Sequence, residues 1–312
     1  MPEWSPEIAV DEVLARRLIG AQFPEHASAS LEPFAEGWDN TLWLVNGAML
    51  FRFPRRAVAV DGVRREIAVL PNLARLLPIP ITRPELVGQP APDSGYPWPF
   101  FAAPLLPGRE SSEAGLDDAA RAALGPTLAG FLRALHSDEV ASAVRGVAEL
   151  PVDPFGRADM QPRVLKTRAA LGDIQRLRLW TPSSKVLDLL AMGRGLPAGG
   201  APVVVHGDLH FRHLLISGDA QSGVSGLSGV IDWGDLCLGP RGLDLQLLWS
   251  FLPPAARPEF LSAYGPVSAD ELLRARVLAF GLNALLALYG RQTGNEGVKM
   301  EAVGSLRRAA EG

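Results

Sequence analysis

The stretch His206-Gly207-Asp208-Leu209-His210-Phe211-Arg212-His213, followed by Asp232-Trp233-Gly234, decides how this chain is read. It carries three of the five histidines. Apolar runs flank it: Val203-Val204-Val205 before, Leu214-Leu215-Ile216 after, and Val230-Ile231 ahead of the second aspartate. Such runs predict short buried strands, and polar residues gathered at strand ends predict a site.

Two chemistries fit the stretch. In phosphoryl transfer, Asp208 is a catalytic-loop carboxylate, the residue five positions later helps to hold a metal, and Asp232 is the main metal ligand. In metal-dependent hydrolysis, His206, Asp208 and His210 alternate on one face of an extended segment and grip a transition metal with His213 and Asp232. The first requires a nucleotide-binding lobe upstream; the second requires no particular lobe.

The rest of the chain sets the frame. Its 312 residues, 47% hydrophobic, suffice for a large core and two lobes. A net charge of -4 without any basic stripe gives no footprint for nucleic acid. The single cysteine, Cys237, excludes an intrachain disulfide framework and makes a reducing cytoplasm the expected location. Met1 to Glu7 lacks the basic and apolar blocks of a signal peptide. The apolar segment Val277 to Tyr289, interrupted by Gly281 and Asn283, reads as a core helix too short for a membrane span.

From the N-terminus, Asp11 is placed to cap a helix carrying Leu14 and Leu18 on one face. Strands are expected at 31–35, 42–45 and 49–53, with Asn46-Gly47 as a hairpin turn. A helix from about Asp61 to Leu70 carries Glu66, after which Pro and Gly dominate up to Pro99. Phe100 to Gly108 reads as an edge strand entering an interlobe linker. Beyond it the pattern turns helical: Leu124, Leu128, Phe131, Leu132 and Leu135 recur at helical spacing, and further helices are expected at 163–178, 183–193, 241–252 and 269–290. Gln221 to Gly229, rich in Ser and Gly, reads as a flexible hairpin tip.

Taken in order, Gly37-Trp38-Asp39-Asn40, Leu50-Phe51-Arg52-Phe53-Pro54, Arg65-Glu66, Leu106-Pro107-Gly108, Leu135-His136, the 206–213 loop and Ile231-Asp232-Trp233-Gly234-Asp235 resemble the aminoglycoside phosphotransferase family. That family sits in the protein-kinase-like superfamily with choline and fructosamine kinases. The resemblance implies an α+β, bilobal protein-kinase-like fold. Residues 1–106 would form the nucleotide-binding lobe with its linker strand, and 107–312 a helical lobe with the catalytic loop and acceptor site. It further implies ATP or GTP as phosphate donor, Mg²⁺ or Mn²⁺ as cofactor, a small-molecule hydroxyl as acceptor, and neither a nucleic-acid nor a membrane partner.

Residue by residue, the resemblance makes Asp208 the group that orients the attacking hydroxyl and Asp232 the metal ligand. Arg52 would clamp the α- and β-phosphates while Glu66 fixes its rotamer. The Gly37 to Asn40 turn would fold over the phosphates; the Pro104 carbonyl and the Leu106 N–H would meet the base. His206 and Asp244 would brace the loop. His213 is the departure, standing where the family has Asn: an imidazole offers nitrogen in place of oxygen, so it either ligates metal or hydrogen-bonds Asp208 or the phosphates. A catalytically silent nucleotide-binding protein is the alternative this departure opens, with the metal hydrolase a third reading.

Overall fold

The structure is a computed structural model that describes residues 6–37, 39–197, 199–219 and 224–312. As expected, the Asp11 carboxylate accepts the Leu14 N–H at 2.8 Å and opens helix α1 (Glu12–Gln22). An antiparallel sheet follows, made of β1 (Leu31–Glu36), β2 (Asn40–Val45) and β3 (Met49–Pro54). Asn46 and Gly47 both take left-handed backbone, φ 49° and 64°, and Ala48 N–H donates to Val45 O at 3.1 Å. Two such residues in sequence match the twist of the strands they join.

Helix α2 (Val60–Leu76) runs past Leu70 and through Pro71. Proline removes one helical hydrogen bond, yet Val69, Leu70 and Leu73 are fully buried on the same face, so packing carries the helix on. Strands β4 (Leu86–Gly88) and β5 (Phe100–Pro104) complete the sheet in the order β1-β2-β3-β5-β4. Strand β5 is therefore interior, not the edge its Pro-Gly ending suggested. Its proline is the last residue, where it interrupts no ladder.

The remaining elements are β6 (Arg109–Glu110), α3 (Asp118–Leu135), α4 (Asp138–Arg145), α5 (Met160–Arg176), α6 (Ser184–Arg194), β7 (Val203–Val205), β8 (Leu214–Asp219), β9 (Val224–Val230), β10 (Cys237–Gly239), α7 (Gly242–Ser250), α8 (Arg257–Tyr264), α9 (Ala269–Thr293) and α10 (Glu296–Ala310). Two small sheets, β10-β7 and β6-β8-β9, flank the 206–213 and Asp232 turns. The expected flexible tip is corrected in part. Residues 221–223 lie outside the described residues, but Val224 to Val230 is a strand paired with β8. The strand lies at the edge of its sheet, and the Ser228 hydroxyl donates to Pro107 O at 2.6 Å.

Phe51, Phe53, Phe100 and Tyr96 fill the core between the five-stranded sheet and α1, with Phe53 and Phe100 stacked at 4.6 Å. Each such ring contributes on the order of 2 kcal/mol by leaving water. A larger core joins the C-terminal helices and takes in Val69, Leu70 and Leu73 of α2, so the two halves share a seam. Helix α9 has the length and composition to cross a membrane, being longer than the expected 269–290. Most of its apolar window is buried, and it packs on α5, α7 and α10.

Candidate active site

Strand β7 ends in the His206-Gly207-Asp208 turn. Gly207 has φ 86°, and a Cβ there would lie 2.4 Å from Asp235 O, so only glycine fits. Asp244, fully buried at the start of α7, receives the turn. Its Oδ2 accepts His206 N–H at 2.8 Å and its Oδ1 accepts Gly207 N–H at 3.1 Å. His136 Nε2 lies 3.2 Å from the same Oδ2, and His136 Nδ1 is 2.8 Å from Tyr264 Oη. His206 Nε2 then reaches Ile231 O at 3.0 Å, tying the loop to the second aspartate turn. There Asp232 takes φ 64°, a left-handed conformation rare outside glycine. Buried Trp233 anchors that turn through Nε1 to Val230 O at 3.0 Å.

From the other side, β3 and α2 supply Arg52 and Glu66. Arg52 Nη1 lies 3.2 Å from Glu66 Oε1, and its Nη2 lies 3.1 Å from Asp232 Oδ1. Burial pushes Glu66 up to about 7 against the pull of Arg52. Desolvation by the surrounding protein would raise Asp232 too, but Arg52 first, then His213 and His206, outweigh it and hold Asp232 below the ordinary carboxylate range. Helix α2 is pressed onto the Asp232 turn: Arg65 Nη2 donates to Gly234 O at 3.0 Å, and a Cβ on Gly62 would come within 2.8 Å of that oxygen.

Asp208 faces His210, His213 and Arg157. His213 Nδ1 donates to Asp208 O at 2.9 Å, and its Nε2 lies 3.4 Å from Asp232 Oδ2. The His210 and His213 rings lie with centres 3.8 Å apart and planes tilted by 31°, and His210 Nε2 lies 3.7 Å from Asp208 Oδ2. Burial drives both imidazoles down to about 3. Burial also raises Asp208, while Arg157 and His213 draw it back.

Arg157 had no signal in the sequence. It follows Asp153, whose carboxylate binds the N–H groups of Arg157 and Ala158 at 2.8 Å each. Arg157 then bonds Gly207 O at 2.7 Å and Asp235 at 2.6 Å, and lies 3.6 Å from Asp208 Oδ1. Only the fold brings a residue some fifty positions upstream to this carboxylate.

The structure thus gathers Asp208, His213, Asp232, Arg52 and Glu66. Carboxylate and imidazole atoms on Asp208, His210 and His213 lie within 4.8 Å of one another, a donor set suited to a divalent cation. His206 is turned away from that set, its Nε2 engaged by Ile231 O, so the five-ligand arrangement for hydrolysis does not form. The remaining expected residues stand apart from this cluster. Gly37 N–H donates to Asn40 O at 2.9 Å, closing a turn that Arg55 Nη1 straps through Gly37 O at 3.1 Å; Trp38 lies outside the described residues. Asn40 opens β2, two residues before the partner of Arg52. Pro104 ends β5 opposite Met49, and the Leu106 side chain lies close to Gly229 on the way to β6.

Residues 30–278 match the family model described as the phosphotransferase enzyme family. The chain belongs to this family. No curated protein matches it. Among solved structures, the family fold recurs in the GDP complex of wild-type aminoglycoside 2'-phosphotransferase-IIIa, with 22% identity, TM-score 0.65, and coverage of 96% of this chain and 98% of that one. Macrolide 2'-phosphotransferase MphH from Brachybacterium faecium aligns with 20% identity and TM-score 0.58, over 95% of this chain and 98% of its own. The antiparallel-sheet N-terminal region and mainly helical remainder are those of kinase-like phosphotransferases.

Proposed function

We propose that this phosphotransferase is a small-molecule kinase that moves the γ-phosphoryl group of ATP or GTP to a substrate hydroxyl. The observation that supports it is the continuous series Glu66, Arg52, Asp232, His213, Asp208, each within 3.4 Å of the next through side chain or backbone. On this reading the series joins a phosphate-binding guanidinium, a metal-binding carboxylate and a proton acceptor. Solved relatives in complex with GDP and with kanamycin favour a nucleotide donor and a small acceptor.

Arg52, held by Glu66, supplies a planar donor fork for the phosphates. Mg²⁺ or Mn²⁺ bound at Asp232 would neutralise charge that builds on the phosphoryl oxygens. Asp208 accepts the acceptor hydroxyl proton as the new oxygen–phosphorus bond forms and the bond to the β-phosphate oxygen breaks, releasing ADP or GDP. Transfer is direct, without a phosphoenzyme. The Gly37 to Asn40 turn lies over the phosphates, the Pro104 carbonyl and Leu106 N–H meet the base, and the lobes divide at 106/107. The protein works in the cytoplasm. Beyond residue 244 six acidic residues face seven basic ones, so the acceptor region carries no excess of acid for a polycation.

Thermal shift with ATP, GTP and their non-hydrolysable analogues, with and without metal, tests the reading. Metal-dependent stabilisation that Asp232→Ala abolishes is expected, followed by nucleoside diphosphate release with an accepted hydroxyl compound. Absence of stabilisation by either nucleotide would overturn it.

A further inference from the structure

We infer that Arg163 determines acceptor specificity, and that the accepted hydroxyl compound carries an anionic oxygen group, a carboxylate or a phosphate, which this guanidinium binds. The inference rests on the kinase reading for the hydroxyl and on the surroundings of Asp208 for the anion.

Arg163 stands in the first turn of α5, fixed there by its N–H to Asp159 O at 3.2 Å. The residue is partly buried, and its Nε is buried without a hydrogen-bond acceptor. Among the described residues, Arg52, Arg55, Arg65, Arg257 and Arg274 share that condition at Nε, yet each bonds a carboxylate or a carbonyl through Nη. The Arg163 guanidinium makes no such bond among them. Its planar fork of N–H donors and its full charge are uncommitted.

The neighbouring carboxylates explain why. Both Asp153 oxygens are taken by the N–H groups of Arg157 and Ala158 at 2.8 Å. Asp235 Oδ2 is held by Arg157 at 2.6 Å, and Asp208 Oδ1 lies 3.6 Å from the same Arg157 nitrogen. Arg157 is itself engaged, since it also bonds Gly207 O at 2.7 Å. Burial first and the Arg157 cation second hold the Arg163 guanidinium below the ordinary arginine value, with Asp153 and Asp208 only partly offsetting them. A cation so placed gains from an anion that the protein does not supply.

Asp208 indicates where that anion comes from. Arg163 feels the charge of the carboxylate that meets the acceptor hydroxyl on the kinase reading. Asp208 and Arg157 keep 29% and 25% of their side-chain surface open, so a ligand can reach them. A compound seated against Asp208 can therefore offer a second oxygen group to Arg163, and carboxylate or phosphate accepts two parallel N–H bonds from a guanidinium. The added negative charge is countered by Arg157 and Arg163 together, and Asp208 sheds its own charge on taking the hydroxyl proton. A polycation would instead meet two arginines beside the attacking hydroxyl.

Acceptor pairs that differ in charge test this: gluconate against glucose, and glycerol 3-phosphate against glycerol, with kanamycin as the cation. Binding of each to the full chain is read by titration calorimetry with Mg²⁺ and a non-hydrolysable nucleotide filling the donor site, and nucleoside diphosphate release is read with ATP or GTP. At least one anion is expected to bind at least about tenfold more tightly than its neutral counterpart. Arg163→Gln should shrink that ratio to within about threefold, and Arg163→Lys should keep part of it as a point charge. Unchanged stabilisation by nucleotide in both variants reports an intact fold and donor site. A preference for gluconate assigns the anion as carboxylate, one for glycerol 3-phosphate as phosphate. No anion bound better than its counterpart, or a ratio undiminished in Arg163→Gln, would overturn the inference. Phosphorylation of kanamycin or of the neutral compounds in preference to the anions would overturn it and leave the kinase reading standing. An anion bound only while Arg163 is present, without stabilisation by either nucleotide, sinks the kinase reading and leaves the anion site.

Discussion

Arg52 and Asp232, 180 residues apart in sequence, meet with Arg52 Nη2 3.1 Å from Asp232 Oδ1 while the other end of the guanidinium holds buried Glu66. One side chain therefore couples the sheet, helix α2 and the Asp232 turn.

Removing that cation strands Glu66. Arg52→Met is expected to destabilise the protein by about 3 kcal/mol at pH 8, because breaking a buried pair leaves a charge without compensation. Adding Glu66→Gln should recover most of the loss. Urea denaturation of the single and double variants measures both, and additive losses would contradict the coupling.

Glu66 also sets a pH dependence. Its folded value is raised from 4.5 to about 7, so between those limits the folded protein holds a proton that the unfolded chain releases. Stability from this group is complete below pH 4.5 and fades as pH rises through 7. Without nucleotide or metal, the melting temperature of wild type relative to Glu66→Gln should fall from pH 5 to pH 8. A difference that is flat or rising across that window would contradict the shift.

Asp244 holds two N–H groups of the His206-Gly207 turn with one carboxylate. Asp244→Ala should lose about 3 kcal/mol, since each buried donor left unmade costs about 1–3 kcal/mol. Asp244→Asn should lose less, because one oxygen remains. Thermal melts rank the three proteins, and equal melts for alanine and wild type would sink this account.

Gly207→Ala should be as damaging from the opposite cause. Its Cβ would meet Asp235 O at 2.4 Å in a backbone conformation that disfavours any side chain. A loss of about 2–4 kcal/mol is expected from strain and overpacking together, read by denaturant midpoint.

Arg157 lies 3.6 Å from Asp208 and bonds Asp235 and Gly207 O. If Asp208 takes the hydroxyl proton as proposed, Arg157→Gln should lower kcat about tenfold or more with little change in KM for nucleotide, because Arg157 then acts on that carboxylate rather than on donor binding. A raised nucleotide KM at constant kcat would assign Arg157 to donor binding instead.

Much of this molecule was legible along the chain. The Asp11 cap, the Asn46-Gly47 turn and helices α5, α6, α7 and α9 are local events, decided within a few residues by backbone sterics and periodicity, and they lie close to where the pattern put them, whereas α8 and α10 were not anticipated. The meeting of the 206–213 and Asp232 turns was also readable, because polar residues that interrupt apolar strand runs have few other places to go. What happens between distant segments was not. Helix α2 crosses Pro71 because a core the local sequence cannot show holds both of its halves. Strand β5 is interior because β4, only three residues long, pairs along its outer side.

The residue types in the 206–213 loop, and hence the chemistries open to it, were determined by the sequence alone. Which partner each histidine ring nitrogen meets, and that Arg157 stands beside Asp208, were decided only by tertiary structure. A ring nitrogen answers to whichever donor or acceptor the fold sets 3 Å away, and that partner carries no signal at the position of the ring.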